Sequence, residues 1–268
     1  MKTIAHLSDL HFGSHDPVLA EALAAGLRES VPDLVVISGD LTQRARRSQF
    51  EAARDYFRLL PTPLLVVPGN HDVPLYDVAR RFLQPLDRYR HYICPELQPF
   101  FCDTEIAVLG LNTARSATLS NGRISYRQAA ALRARFADVP ADRFRILVSH
   151  HPLMPPPDSP DLPVVGRAAM AVEAAADAGI QVVLAGHHHH AFTADLAGHH
   201  LAMNRSMLIV EAGTAISLRR RGEPNSYNLL TIAPGRVDCV VQLWRGDRFA
   251  PAATVSYTLV NGHWRREA

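Results

Sequence analysis

Five short apolar runs in this chain end in residues that can bind metal or move protons. Thr3 to Ser8 leads to Asp9-Leu10-His11, and Leu34-Val35-Val36-Ile37 leads to Ser38-Gly39-Asp40. Leu64 to Val67 leads to Gly69-Asn70-His71-Asp72, Arg145 to Ser149 leads to His150-His151-Pro152, and Gln181 to Leu184 leads to Gly186-His187-His188-His189-His190. A lone Asp or Asn after a strand is usually a turn former. Five such endings in one chain ask for a chemical explanation.

The donors are oxygen and nitrogen, without a thiolate. That mixture suits Mn, Fe, Co, Ni or Zn. Asp9 with His11, Asp40, Asn70 with His71 and Asp72, His150, and His187 with His189 are too many ligands for one ion. Two ions about 3.5–4 Å apart, sharing one carboxylate, would use them economically. Asp40 stands alone on its turn and is the natural bridge. His187 and His189 occupy alternate positions, so an extended segment would turn both the same way.

Such donors converge only if the runs are strands of one architecture. Asp16 to Arg28 has Pro17 in a first turn and Leu19, Leu23 and Leu27 on one face, the pattern of a helix. Leu34 to Ile37 lacks alternation, as a strand covered on both faces does. Ser48 to Leu60 is a second helix, so the first 72 residues read strand–helix–strand–helix–strand with a parallel sheet. In such a sheet, functional groups collect beyond the carboxyl ends of the strands.

Asp77 to Phe101, rich in aromatic residues, reads as a helical cover. Ile106 to Leu111 is a strand ending in Asn112, and Ser125 to Phe136 and Ala168 to Ala178 are helices. The Pro-rich stretch Pro155-Pro156-Pro157 through Pro163 is a loop. Beyond Phe192 the segments Leu208–Glu211, Tyr227–Ile232, Val237–Trp244 and Ala253–Leu259 are short and β-rich, as in an antiparallel sheet. We expect one domain over residues 1–268, with 1–191 a metal-binding α/β core and 192–268 completing a second sheet.

Whole-chain properties exclude several alternatives. The formal net charge is +2 with 47% hydrophobic residues, which gives no general case for a nucleic-acid partner. The three cysteines, Cys94, Cys102 and Cys239, form no CxxC pair and no disulfide framework. A reducing cytosol is the natural compartment, so a cytoplasmic location is expected. No apolar run is long enough to span a bilayer, and the N-terminus does not read as a signal peptide.

The ordered set Asp9-Leu10-His11, Gly39-Asp40, Gly69-Asn70-His71-Asp72, His150 and Gly186-His187-His188-His189 resembles the calcineurin-like metallophosphoesterase family. Within it, the set is similar to the bacterial cyclic-nucleotide and small-diester phosphodiesterases. The resemblance spans residue 3 to about residue 190. It implies an α/β fold, a four-layer α/β/β/α sandwich of two mixed β-sheets flanked by helices. It implies a first metal on Asp9, His11, Asp40 and His189, and a second on Asp40, Asn70, His150 and His187. The cofactors would be two divalent or trivalent ions, Mn, Fe, Zn or Co. His71 would be the acid that protonates the leaving oxygen or steadies the phosphoryl group, with Asp72 orienting its ring. The family pattern of His, any residue, Pro selects His150 over His151.

The expected activity is hydrolysis of a small phosphodiester such as a 3′,5′-cyclic nucleotide. Two cations neutralise the anion and acidify a bound water, which then attacks in line. Alternatives are a nucleotide–lipid pyrophosphatase of the UDP-diacylglucosamine type, a nuclease, or a metal-free binding scaffold. The pyrophosphatase would want an exposed apolar flap, which Asp77 to Phe101 could supply. The nuclease would want a long basic groove. The scaffold would have lost ligands, and none is missing. The oligomeric state stays open, a homodimer among the options. Substrate contacts from His188, His190, Asn112, Arg123, the Arg44–Arg47 cluster and Arg219-Arg220-Arg221 stay open as well. His199 and His200 read as loop residues.

Overall fold

The computed structural model describes residues 1–156, 158–195, 206–220 and 222–267. Pro157, His199, His200 and Arg221 lie outside the described residues.

The first unit is as expected. Strand β1 (Lys2–Leu7) pairs in parallel with β2 (Leu34–Ile37), and β2 with β3 (Leu64–Val66). Helix α1 (Pro17–Ser30) crosses between the first two strands, and α2 (Arg47–Phe57) between the next two. The Asp16 carboxylate caps α1 by accepting the Val18 N–H at 2.9 Å, and Pro17 occupies the first turn. Leu19, Leu23 and Leu27 are buried along its inner stripe. Each such leucine contributes roughly 1.5–3 kcal/mol by leaving water.

The aromatic stretch after residue 77 forms two short helices, α3 (Val78–Leu83) and α4 (Asp87–Tyr92), then strand β4 (Phe100–Cys102). A second sheet follows, built from β5 (Ile106–Leu111), β6 (Phe144–Ser149), β7 (Val182–Ala185), β8 (Phe192–Asp195) and β9 (Leu208–Glu211). Its order is β4-β5-β6-β7-β9-β8, with β5, β6, β7 and β9 mutually parallel. Helices α5 (Tyr126–Ala137) and α6 (Ala168–Asp177) cover its outer face.

The C-terminal strands β10 (Ser226–Ala233), β11 (Arg236–Trp244), β12 (Phe249–Val260) and β13 (His263–Arg266) form an antiparallel meander. They do not complete the second sheet, as residues 192–268 were expected to do. Strand β10 pairs antiparallel with β1, so the meander extends the first sheet to β13-β12-β11-β10-β1-β2-β3. Among the described residues, only β8 and β9 from that region join the second. A β-rich pattern marks strands but not their partners, and here the free edge of β1 decides.

Three cores give the layer order α/β/β/α. Leu7, Val35, Ile37, Leu23, Leu27 and Phe50 join α1 and α2 to the first sheet. Ile4, Val36, Val67, Val108, Val148 and Leu184 fill the space between the sheets. Leu111, Leu132, Phe136, Val172 and Val183 join α5 and α6 to the second.

Candidate metal centre

The chain changes hand at the ends of its central strands. Asp9, His11, Asp40, His187 and His189 all have positive φ, between 49° and 78°. Non-glycine residues avoid that region because Cβ crowds the backbone. Strain of this kind gathers at functional sites, held by surrounding structure. Here the Asp9 N–H donates to Gly39 O at 3.2 Å and the His11 N–H to Asp40 O at 2.9 Å, which zips the β1 and β2 turns together. His187 N–H donates to Asp9 Oδ2 at 3.1 Å, tying the second sheet's turn to the first.

The spacing of the donors is that of a cage. His11 Nε2 lies 3.5 Å from Asp9 Oδ1 and 3.7 Å from Asp40 Oδ2. His189 Nε2 lies 3.4 Å from Asp9 Oδ1, and His150 Nε2 lies 3.3 Å from Asp40 Oδ1. His150 Nε2 also lies 3.2 Å from Asn70 Oδ1. Two ligands about 2.1 Å from one tetrahedral ion stand about 3.4 Å apart. Asp9 Oδ1 and both ring nitrogens of His11 are buried without a hydrogen-bond partner. Such groups cost free energy unless something answers them, and a cation would.

The rings are oriented from behind. His150 Nδ1–H donates to Ser38 O at 2.8 Å, and His189 Nδ1 meets Thr214 Oγ1 at 2.6 Å. In both, Nε2 is then the atom facing the carboxylates, the arrangement ligating histidines use. Close approach explains the glycines. A Cβ on Gly39 (φ +95°) would collide with the His150 ring, and one on Gly69 with Asp40 Oδ1. Gly69 itself has φ −105°, so space rather than handedness calls for glycine there.

The electrostatics follow from burial and proximity. Burial opposes charge on Asp9, yet His189, His11 and His150 hold it well below the usual carboxylate range. Asp40 behaves likewise beside His150 and His71. Burial disfavours the charged His150 ring, but Asp40 and Asp9 overcome it and raise the ring to about 9. Burial and the nearby His150 lower His187 to about 3. A cation would therefore displace a proton from His150, while the two carboxylates and His187 are already deprotonated at neutral pH.

The seven expected ligands come together. Asp9, His11 and His189 form one cluster, Asp9, Asp40 and His150 another, and His187 approaches His150. Asn70 reaches His150 through the bond already given. One detail differs: His187 and His189 do not lie on an extended segment, and their positive φ values aim them instead. His151 also stands beside His150 and His187. Its Nδ1 meets Thr113 Oγ1 at 2.7 Å and its Nε2 donates to Ser120 O at 2.6 Å. With both nitrogens engaged, His151 is a tether for the 113–120 loop.

His71 sits beside the centre, its ring 4.8 Å from that of His11 and edge-on to it. Asp72 does not orient it. The Asp72 carboxylate accepts the N–H groups of Leu41, Thr42 and Gly69 at 3.2, 2.9 and 2.9 Å, and the Thr42 hydroxyl at 3.0 Å. Burial and Asp40 raise that carboxyl to about 6. The short 3-10 turn over Asn70–Asp72 points the two side chains apart. His71 Nδ1 instead donates to Gln43 O at 2.9 Å. Asp72 therefore positions the loop that carries Gln43, and acts on His71 only through it.

Further partners come from residues outside the expected set. Glu211, at the end of β9, is fully buried and takes His188 Nδ1 at 3.0 Å, while His188 Nε2 donates to Pro163 O at 3.1 Å. Burial raises Glu211 to about 7. The run Leu208-Ile209-Val210-Glu211 carries the same apolar-run-then-acid signal as the other five. His190 Nδ1 meets Glu223 at 2.7 Å. Asn112 turns its side chain onto its own loop, accepting the Ala114 N–H at 3.0 Å, and does not join the centre.

Residues 2–191 match the calcineurin-like phosphoesterase family, and the chain belongs to it. It is 31% identical over 172 residues to a glycerophosphodiester phosphodiesterase, GpdQ, of Enterobacter lignolyticus, covering 57% of this chain and 57% of that protein. It is 32% identical over 81 residues to a probable cyclic nucleotide phosphodiesterase of Synechococcus, covering 27% of this chain and 32% of that one. The chain thus spans about half or less of these curated relatives. In fold it is similar to a dimetal phosphatase from Danio rerio, with TM-score 0.65, 12% identity and coverage of 96% of this chain and 98% of that one. It is also similar to a purple acid phosphatase from yellow lupin, with TM-score 0.68, 9% identity and coverage of 94% and 53%.

Proposed function

We propose that the protein is a metal-dependent phosphodiesterase with a dinuclear centre, acting on a small phosphodiester. Asp9, His11, Asp40 and His189 would hold one ion, and Asp40, Asn70, His150 and His187 the other. The observation that carries this is the buried, unpartnered donor set of Asp9 Oδ1 and the two His11 nitrogens, caged at ligand–ligand spacing. When bound, the ions supply positive charge against the phosphate anion and acidify water.

The protein's own groups do the rest. His71 spends its Nδ1 proton on Gln43 O, so Nε2 is the atom left to pass a proton to the departing oxygen, once Arg219 NH1, which donates to it at 3.0 Å, turns away. Burial lowers the affinity of this ring for a second proton, which makes it a stronger acid once it carries one. The backbone N–H of His71 donates to Asp40 Oδ1 at 2.8 Å, which sets the imidazole against the bridging carboxylate. Asn70 is a neutral ligand and limits the negative charge beside two carboxylates.

Glycerophosphodiesters and cyclic nucleotides are the substrate classes to try first, since the two relatives carry those names. With Mn²⁺ added, an activated diester, its matching monoester, 3′,5′-cyclic AMP, 2′,3′-cyclic AMP and glycerophosphodiesters should separate the cases. A preference for the monoester would sink the assignment. A nucleotide–lipid pyrophosphatase has one observation in its favour: Tyr76, Val78, Phe82 and Leu83 are exposed around α3. A nucleotide–sugar–lipid analogue in the same panel tests it.

A further inference from the structure

Two arginines meet one imidazole at the rim of the centre. Arg219 NH1 donates to His71 Nε2 at 3.0 Å, although 148 positions separate the residues. Arg44 NH1 donates to Gln43 O at 3.0 Å, the carbonyl that also takes His71 Nδ1–H, and its guanidinium lies 5.9 Å from the Tyr76 ring centroid. The arginines therefore flank both edges of the ring.

Neither has an acid to answer it. Among the described residues, no carboxylate pairs with Arg44 or Arg219. Some arginines do have such partners, as Arg47 with Glu51 and Arg54 with Asp55, while Arg81 and Arg145 spend their donors on backbone carbonyls instead. A guanidinium offers five N–H donors in a planar fork, and Arg219 directs one at His71. Its backbone is held although its side chain is exposed. Leu218 N–H and Ser217 Oγ donate to Ser14 O at 2.8 and 3.2 Å, and Arg219 N–H donates to Ser217 Oγ at 3.0 Å. Asn225 Nδ2 fixes Ser217 O at 2.8 Å. This loop is tied to the turn after β1, which carries Asp9 and His11.

The place of the pair defines what it can bind. The His71 ring packs edge-on against His11, so the arginines stand one ring beyond the donor cage. On the Arg44 side of the ring a cavity of about 70 Å³ opens, lined by Gln43, Arg44, Asn70, His71, Arg81 and Leu119 among others, and Arg219 stands outside it at Nε2. A simple diester carries one negative charge, and two divalent ions set against Asp9, Asp40 and an attacking hydroxide would already balance it. Two further cations with no carboxylate partner among the described residues are in excess for such a substrate.

We propose that Arg219, with Arg44, binds an anionic substituent on one alcohol of the diester, so that the preferred substrate is a phosphodiester carrying a second negative charge, as carboxylate or phosphate. This rests on the phosphodiesterase reading. Isothermal titration of the Mn²⁺-loaded protein with two ligands matched except for charge tests it: dipropyl phosphate, and the analogue with one chain ending in a carboxylate. Wild type should bind the carboxylate analogue at least about tenfold more tightly. Arg219→Ala should remove most of that ratio, Arg44→Ala part of it, and Arg219→Lys should keep more than Arg219→Ala. Equal affinities in wild type, or an R219A loss identical for both ligands, would overturn the clamp. Bis(p-nitrophenyl) phosphate given to the same preparation separates the two readings: no hydrolysis overturns the diesterase, whereas equal calorimetric affinities overturn the clamp.

Discussion

Asp40 Oδ1 accepts the backbone N–H of His71 at 2.8 Å. The same oxygen lies 3.3 Å from His150 Nε2, and the other carboxylate oxygen 3.7 Å from His11 Nε2. One buried side chain therefore touches both donor clusters and also sets the residue assigned to proton transfer. The spacing of the donor cage and the placement of His71 are therefore linked through Asp40.

Asp40→Asn should expose that dependence. The amide cannot offer two anionic oxygens, so metal bound after purification should fall by about half or more, and diester turnover by at least about a hundredfold. Far-UV circular dichroism should stay close to wild type. An Asn variant with full metal content and wild-type turnover would contradict a bridging Asp40.

His71 and Asp72 should behave differently, although they are neighbours. His71→Ala should keep its metal and cost less than about 1 kcal/mol of stability, while diester turnover falls by roughly 10²–10⁴-fold, the usual worth of a positioned acid. Asp72→Ala strands the N–H groups of Leu41, Thr42 and Gly69 in a buried site. It should cost about 2–4 kcal/mol by denaturant unfolding. If Asp72→Ala unfolded like wild type and lost only turnover, the orienting role expected from its place beside His71 would be restored.

Gly69→Ala isolates close packing from chemistry. No functional group is lost, yet the new methyl would collide with Asp40 Oδ1. Metal affinity should drop by about tenfold or more, as when groups supporting a metal ligand are removed. Unchanged binding by competition with a chromogenic chelator would show that the turn yields without disturbing Asp40.

How far the sequence carried depended on whether a signal was local. The donors at the ends of β1, β2, β3, β6 and β7 were visible because an apolar run ending in acid or histidine is unusual, and parallel strands place such ends along one edge. The partner of β10 was not visible: its alternation fits any open edge, and only the folded first sheet offers β1. Asp72 was misread for a related reason. Adjacency suggested a contact with His71, but a 3-10 turn separates the two side chains. Arg219 and His71 meet across 148 positions, and nothing local to either residue signals the other. Glu211 ends its strand with the same signal as the others and was legible in principle.

The cysteines give a check on the fold that is independent of the metal site. Cys239 is buried on β11, and burial pushes its thiol up to about 12, so little thiolate forms at pH 8. Cys102 is exposed. In the native protein a maleimide reagent should label Cys102 within minutes, and Cys239 only after unfolding. Rapid labelling of Cys239 by peptide mapping would mean that the inner face of β11 is not packed against the second sheet.

The most direct test of the account is a titration of chelator-stripped protein with Mn²⁺, reading bis(p-nitrophenyl) phosphate turnover against bound metal. The account predicts no turnover in the stripped protein and a maximum at two ions per chain, with Asp40→Asn failing to reach it. Turnover that survives stripping, or that reaches its full rate at one ion per chain, would contradict a dinuclear centre bridged by Asp40.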